Sequence, residues 1–211
     1  MPTEPPLQAL IFDVGGVIVP HDNEMLHARL AGRCADPGAL LGLRQGGRTG
    51  VGSGAISVQD LHRRLVDECG YAGDWETFAE DWCSHLGLDE AMLDLVERLA
   101  QQQRVALFSN TNDVHWAFVD GLSGGRLNRI EQYLSHEIRL EKPDLESYLR
   151  VAELGGFEPA RCIFFDDVME NVEGARAAGF QAEQFTGQDA LETLLETRGV
   201  RWARQSEETF S

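Results

Sequence analysis

At 211 residues the chain is long enough for one large domain or for a core with an inserted subdomain, and either can bury a full hydrophobic core. Its 35 acidic residues against 18 lysines and arginines leave a net charge of -17, which disfavours nucleic acid and membrane surfaces as partners, because both present phosphates that such a surface repels. Four scattered cysteines without CxxC spacing, no basic-then-apolar leader and no stretch as long as a membrane span together predict a cytoplasmic protein in a reducing compartment.

The first segment, Leu7 to Pro20, reads LQALIFDVGGVIVP. It predicts a short buried strand that ends at Asp13, then a glycine-rich turn and a second apolar run. A carboxylate at the end of such a strand must be paired, hydrogen-bonded or bound to a metal. The alternative at this point is a strand-end turn in which Asp13 caps the backbone and Gly15 and Gly16 supply positive φ angles.

From His21 to about Leu99 the pattern is helical. Ser57 opens one helix as a cap ahead of Leu61, Leu65 and Val66; Trp75, Phe78, Ala79 and Trp82 repeat the spacing, and so do Met92, Leu93, Val96 and Leu99. These segments form a helical unit inserted after the first strand. The glycine-rich stretch Arg44 to Ala55 lacks the GK[ST] ending and the preceding strand of a phosphate-binding loop, so it reads as a loop between two helices. Arg44 and Arg48 would reach a ligand if that loop folds over a site.

From Arg104 onward strand and helix alternate. Val105 to Phe108 is an apolar run ending in Ser109, Asn110 and Thr111, with a helix from Asp113 to Leu122. Tyr133 to Ile138 reads as a weaker strand, followed by Lys142-Pro143 and a helix from Asp144 to Leu154. Cys162 to Phe165 ends in Asp166-Asp167 and leads into a helix that stops at Gly179. Gln181 to Phe185 is the last strand, Asp189 to Leu195 the last helix, and a polar tail starts at Arg201. The expected fold class is α/β: a Rossmann-like parallel sheet from residues 1–20 and 100–200, an inserted helical cap over 21–99, and a tail over 201–211.

In an open parallel sheet, ligands bind outside the carboxyl ends of the strands. Four such ends carry Asp13, the Ser109 to Thr111 segment, the Lys142 segment and Asp166-Asp167. A nucleophile or metal ligand, hydroxyl and amide donors at a helix start, a cation and an acidic pair are the parts of a phosphoryl-transfer site. A small phosphorylated substrate remains compatible with the negative charge if a metal or local cations reverse the field in one cleft.

With FDVGGV, SNT, EKPD and FFDDVMENV in this order, the chain resembles the haloacid dehalogenase-like (HAD) superfamily over roughly Leu7 to Thr186. The inserted helices and the SNTNDVH segment are similar to the branch of α-glucose-1-phosphate phosphatases and the amino-terminal phosphatase domain of soluble epoxide hydrolase. The resemblance implies that Asp13 attacks phosphorus and forms an aspartyl-phosphate. It implies that Ser109, Asn110 and Thr111 hold the phosphoryl oxygens, and that Lys142 neutralises charge. It further implies that Asp13, the carbonyl of Gly15, Asp166 and Asp167 hold Mg²⁺.

One departure stands out. Members of the family commonly carry an acid-base aspartate two residues after the nucleophile, where this chain has Gly15. Activity would then be confined to good leaving groups, or His21 or Asp22 would take the role, or hydrolysis would be lost, leaving a metal- and phosphate-binding module. His21, His115 and His136 otherwise read as solvated or structural, and Asn171 as a residue that fixes the acidic loop. The expected function is a Mg²⁺-dependent phosphatase of a small phosphorylated metabolite, with a 2-haloacid dehalogenase and the silent module as rivals.

Overall fold

The computed structural model describes residues 6–40 and 50–203. Its centre is a parallel sheet of five strands: β1 (Ala9–Phe12), β2 (Val105–Ser109), β3 (Glu131–Leu134), β4 (Cys162–Asp166) and β5 (Gln181–Gln184), in the order β3-β2-β1-β4-β5. Every residue of β1, β2 and β4 is buried, as expected of strands covered on both faces that read as continuous apolar runs. The chain steps outward from β1 to β3 and then returns to the other side of β1 for β4. The order therefore reverses between β1 and β4, the place where open α/β sheets form a ligand crevice.

Alternate residues of each strand feed two cores. Leu10, Phe12, Val105, Leu107, Ile163 and Phe165 face one side, where α4 (Glu90–Ala100), α5 (Asp113–Leu122) and α9 (Gln188–Thr197) supply Met92, Val96, Trp116 and Leu195. Ile11, Ala106, Phe108 and Phe164 face the other, against Tyr148 and Val151 of α7 (Leu145–Gly155) and Val172 and Ala175 of α8 (Met169–Ala177). A third cluster belongs to the inserted helices α1 (Asn23–Ala31), α2 (Val58–Cys69) and α3 (Trp75–Cys83), built on Leu30, Leu61, Leu65, Tyr71 and Phe78. Ser57 caps α2 in a reciprocal pair with Asp60, and Gly70 ends it at φ 64°, which is the start and stop chemistry its sequence carries.

Three details differ from the sequence reading. Helix α4, placed by pattern with the inserted unit that ran to residue 99, packs on the sheet through Met92, Leu93, Leu95, Val96 and Leu99. Helical spacing says which face is apolar and nothing about what that face meets. The strand expected over Tyr133 to Ile138 stops at Leu134, and Ser135–Ile138 is a helical turn, α6, ended by Arg139 at φ 64°. Buried Ser135 turns the chain there: its one hydroxyl hydrogen is donated to the Gly52 carbonyl at 2.6 Å, with the Thr111 carbonyl 3.0 Å away, and the same oxygen accepts from the Thr111 N–H at 2.9 Å. Of the tail read from residue 201, residues 201–203 are described, and Trp202 packs against the sheet cluster. No helix among the described residues is long and apolar enough to cross a membrane.

Candidate active site

Asp13 is the first residue beyond β1, and its N–H donates to the Phe165 carbonyl of β4 at 2.8 Å. The register Phe12↔Phe165 sets it beside Asp166, the last residue of β4. Its carboxylate, 7% exposed, accepts from the Val14 N–H at 2.6 Å and meets the Lys142 ammonium at 2.8 Å. Lys142 lies between two acids, with Asp166 2.6 Å from the same nitrogen. Asn110 holds Lys142 there, donating to its carbonyl and accepting from its N–H, both at 2.9 Å, next to the cis Lys142–Pro143 peptide.

Asp166 is fully buried and its oxygens accept from the Val168 N–H and the Asn171 amide. Asn171 thus anchors the acidic loop. Asp167 is half-buried against Gly16, where a Cβ would run into the carboxylate and where φ is +72°. Glycine is required there by close approach and by backbone conformation together. One oxygen each from Asp13, Asp166 and Asp167 lies within 4.8 Å of the others. Burial pushes the Asp13 carboxyl up to about 7, with Lys142 pulling against it and Asp166 adding to it. Burial and then Asp166 push Asp167 up as well. Crowded acids that resist ionisation and offer only oxygen donors fit a hard divalent cation, which reverses that penalty.

Beside the acids opens a cavity of about 250 Å³, lined by Gly15, Ser109, Asn110 and Thr111 and by three histidines, His21, His85 and His115. Ser109 ends β2 and is 4% exposed. The cap of α5 is Asn112, which accepts from the His115 N–H at 3.0 Å, so Ser109 is not spent as a helix cap. Asp22 is committed: its carboxylate caps α1 by accepting from the N–H groups of Glu24 and Met25.

The structure therefore brings together Asp13, Ser109, Asn110, Thr111, Lys142, Asp166 and Asp167, with Gly15 at the cavity edge. Arg44 and Arg48 lie outside the described residues. His85 is a lining residue that carries no signal in the sequence. It follows α3, and no spacing ties it to His115 thirty residues later, although the two rings meet edge to face at 5.2 Å.

The sequence profile of the haloacid dehalogenase-like hydrolases matches residues 7–179. A D-ribitol-5-phosphate phosphatase of Bacteroides thetaiotaomicron is 27% identical over 190 residues, which is 84% of this chain and 91% of that one. The fold is shared with a HAD family enzyme from the same organism, crystallised with magnesium and inorganic phosphate, at a TM-score of 0.75, 23% identity and coverage of 89% and 98%. It is shared at 0.55 with the L-2-haloacid dehalogenase of Xanthobacter autotrophicus, at 19% identity and coverage of 92% and 84%.

Proposed function

The chain belongs to the haloacid dehalogenase-like hydrolases, and from that premise we propose that it is a Mg²⁺-dependent phosphatase of a small phosphorylated metabolite, a sugar or polyol phosphate among the candidates. The observation that carries this reading is the cluster of Asp13, Asp166 and Asp167 where β1 and β4 end, with Lys142 paired to two of these acids, next to a cavity that Gly15, Ser109 and Asn110 line. The curated D-ribitol-5-phosphate phosphatase supports the same chemistry and motivates the substrate class.

The Asp13 carboxylate would bond to phosphorus as the ester oxygen departs, giving an aspartyl-phosphate. Water would then bond to phosphorus as the Asp13 oxygen leaves, releasing inorganic phosphate and restoring the carboxylate. Ser109 and the main chain of Asn110 and Thr111, at the start of the loop into α5, would hold phosphoryl oxygens; the Asn110 side chain is already spent on Lys142. Lys142 would offset the charge that nucleophile and phosphate bring together. Asp13, Asp166 and Asp167 would hold Mg²⁺, which when bound supplies Lewis-acid stabilisation of phosphoryl oxygens. A dehalogenase acting on carbon has no use for three crowded carboxylates, and this makes that rival the weaker reading.

The test is phosphate release from acetyl phosphate, an aryl phosphate and a set of sugar and polyol phosphates, with Mg²⁺ and with a chelator. Turnover is expected with Mg²⁺ and lost with chelator. Asp13→Asn, folded by circular dichroism, is expected to retain less than about 10⁻³ of wild-type rate, since removal of a covalent nucleophile leaves only binding and electrostatic help. Equal turnover by variant and wild type would remove Asp13 from the mechanism.

A further inference from the structure

Phosphoryl transfer from an unactivated alkyl ester needs a proton for the departing oxygen, and hydrolysis of the resulting intermediate needs a group to take one from water. The acids of the site are gathered around a cation position and Lys142 is wedged between two of them. The remaining titratable side chains lining the cavity, among the described residues, are His21, His85 and His115.

Two of these histidines are poor proton carriers. His115 stacks on Trp82 with ring centroids 4.8 Å apart, and its Nε2 donates to the Trp82 carbonyl at 3.0 Å. Burial pushes it down to about 4. His85, 7% exposed, is also held below the ordinary imidazole range by burial. Both stay neutral near pH 7.

His21 differs in its placement. It is exposed and lines the cavity. It sits where the chain leaves the core for α1, pinned by a backbone bridge to Leu86. Its ring also faces residue 15, two positions beyond Asp13: a Cβ built on Gly15 would have His21 Cε1 and Nδ1 as its nearest neighbours, both at 3.8 Å. Asp22, its neighbour, is occupied by the cap of α1.

We propose that His21 donates the proton to the leaving-group oxygen and later takes one from the attacking water. As the Asp13 oxygen bonds to phosphorus and the ester P–O bond breaks, the leaving oxygen takes the imidazolium proton and departs as an alcohol. In the second half, the neutral imidazole takes a proton from the water whose oxygen bonds to phosphorus while the bond from Asp13 breaks. The imidazolium and the carboxylate are both restored. This rests on the phosphatase reading, and leaving-group dependence separates the two.

The experiment compares wild type, His21→Ala and His21→Gln with saturating Mg²⁺ on ribitol 5-phosphate and on acetyl phosphate, whose leaving group needs no proton. The ratio kcat/KM reports only the steps up to departure of the leaving group. For both variants it is expected to fall by about 10²-fold or more on the alkyl ester and by less than about threefold on acetyl phosphate. By contrast kcat falls on both substrates, which share hydrolysis of the aspartyl-phosphate. Gly15→Asp introduced into His21→Ala is expected to recover alkyl-ester turnover, because nothing lies within 3.8 Å of a Cβ there. Equal losses of kcat/KM on both substrates would make His21 a hinge-positioning residue and overturn the proposal, as would no loss on either. Wild type that leaves acetyl phosphate intact would overturn the phosphatase reading and this proposal with it.

Discussion

At the scale of single residues, the site is a set of charges kept where water is scarce. Asp13 and Asp166 are tolerated at the ends of buried strands because Lys142, itself 2% exposed, bridges them and because backbone N–H groups and Asn171 fill their remaining lone pairs. His115 answers burial in the opposite way, by staying neutral. With a folded-state value of about 4 against an ordinary 6.5, it is protonated in the unfolded chain before it is in the folded one. The unfolded state then binds more protons between those values, so stability is complete above about pH 6.5 and is lost as pH falls toward 4. His85 acts in the same direction. In His115→Gln, whose amide can still donate to the Trp82 carbonyl, urea unfolding at pH 7 and pH 4.5 is expected to show an acid loss smaller than wild type's by about 2 kcal/mol. Parallel pH dependences for the two proteins would refute the assignment. The acids were legible in the sequence because each ends an apolar run. His21 stood out only through its nearness in sequence to Gly15, and its grouping with His85 and His115 did not, because the three come from separate segments and share no spacing.

At the scale of elements, the inserted helices are tied by one buried acid. Asp81 of α3, 1% exposed, meets Arg29 of α1 at 2.8 Å, Arg33 at 2.5 Å and the Tyr71 hydroxyl at 2.8 Å. Burial alone would raise its carboxyl, but Arg29, Tyr71 and Arg33 together hold it below its ordinary range. Both arginines are well exposed, so water screens the pairing. Asp81→Ala is accordingly expected to cost about 2 kcal/mol, less than a fully buried pair would. Amide exchange should quicken in α1 and α3 while β1, β2 and β4 keep their protection, because the helices hold their own cluster apart from the sheet's. Uniform loosening of helices and sheet would contradict that separation. The sequence showed the helices through Ser57, Leu61 and Leu65, whose periodicity and cap are local. It did not show that α4 turns its apolar face to the sheet, or that Asp81 is a fastener, because both depend on what lies opposite in space. The stretch over Tyr133 to Ile138 carried two signals, and the buried hydroxyl of Ser135 ended the strand at Leu134.

At the scale of the whole molecule, the sheet order and the net charge act on the site together. The order β3-β2-β1-β4-β5 brings the ends of β1 and β4 side by side, so acids from opposite parts of the chain meet at the crevice. The charge of -17 then concentrates cations near that crevice and opposes the approach of a phosphate monoester. Such a field reaches roughly 30 Å at about 0.01 M salt and roughly 8 Å at about 0.15 M. With Mg²⁺ kept saturating, so that weaker cation binding in salt is excluded, kcat/KM for a phosphate monoester is expected to rise several-fold over that range. The encounter of two like charges becomes easier as the field is screened. The chemical step lies inside the crevice, beyond the reach of bulk ions, so kcat should hold steady. A fall in kcat/KM would mean that local cations at the crevice outweigh the field of the whole chain and steer the substrate in.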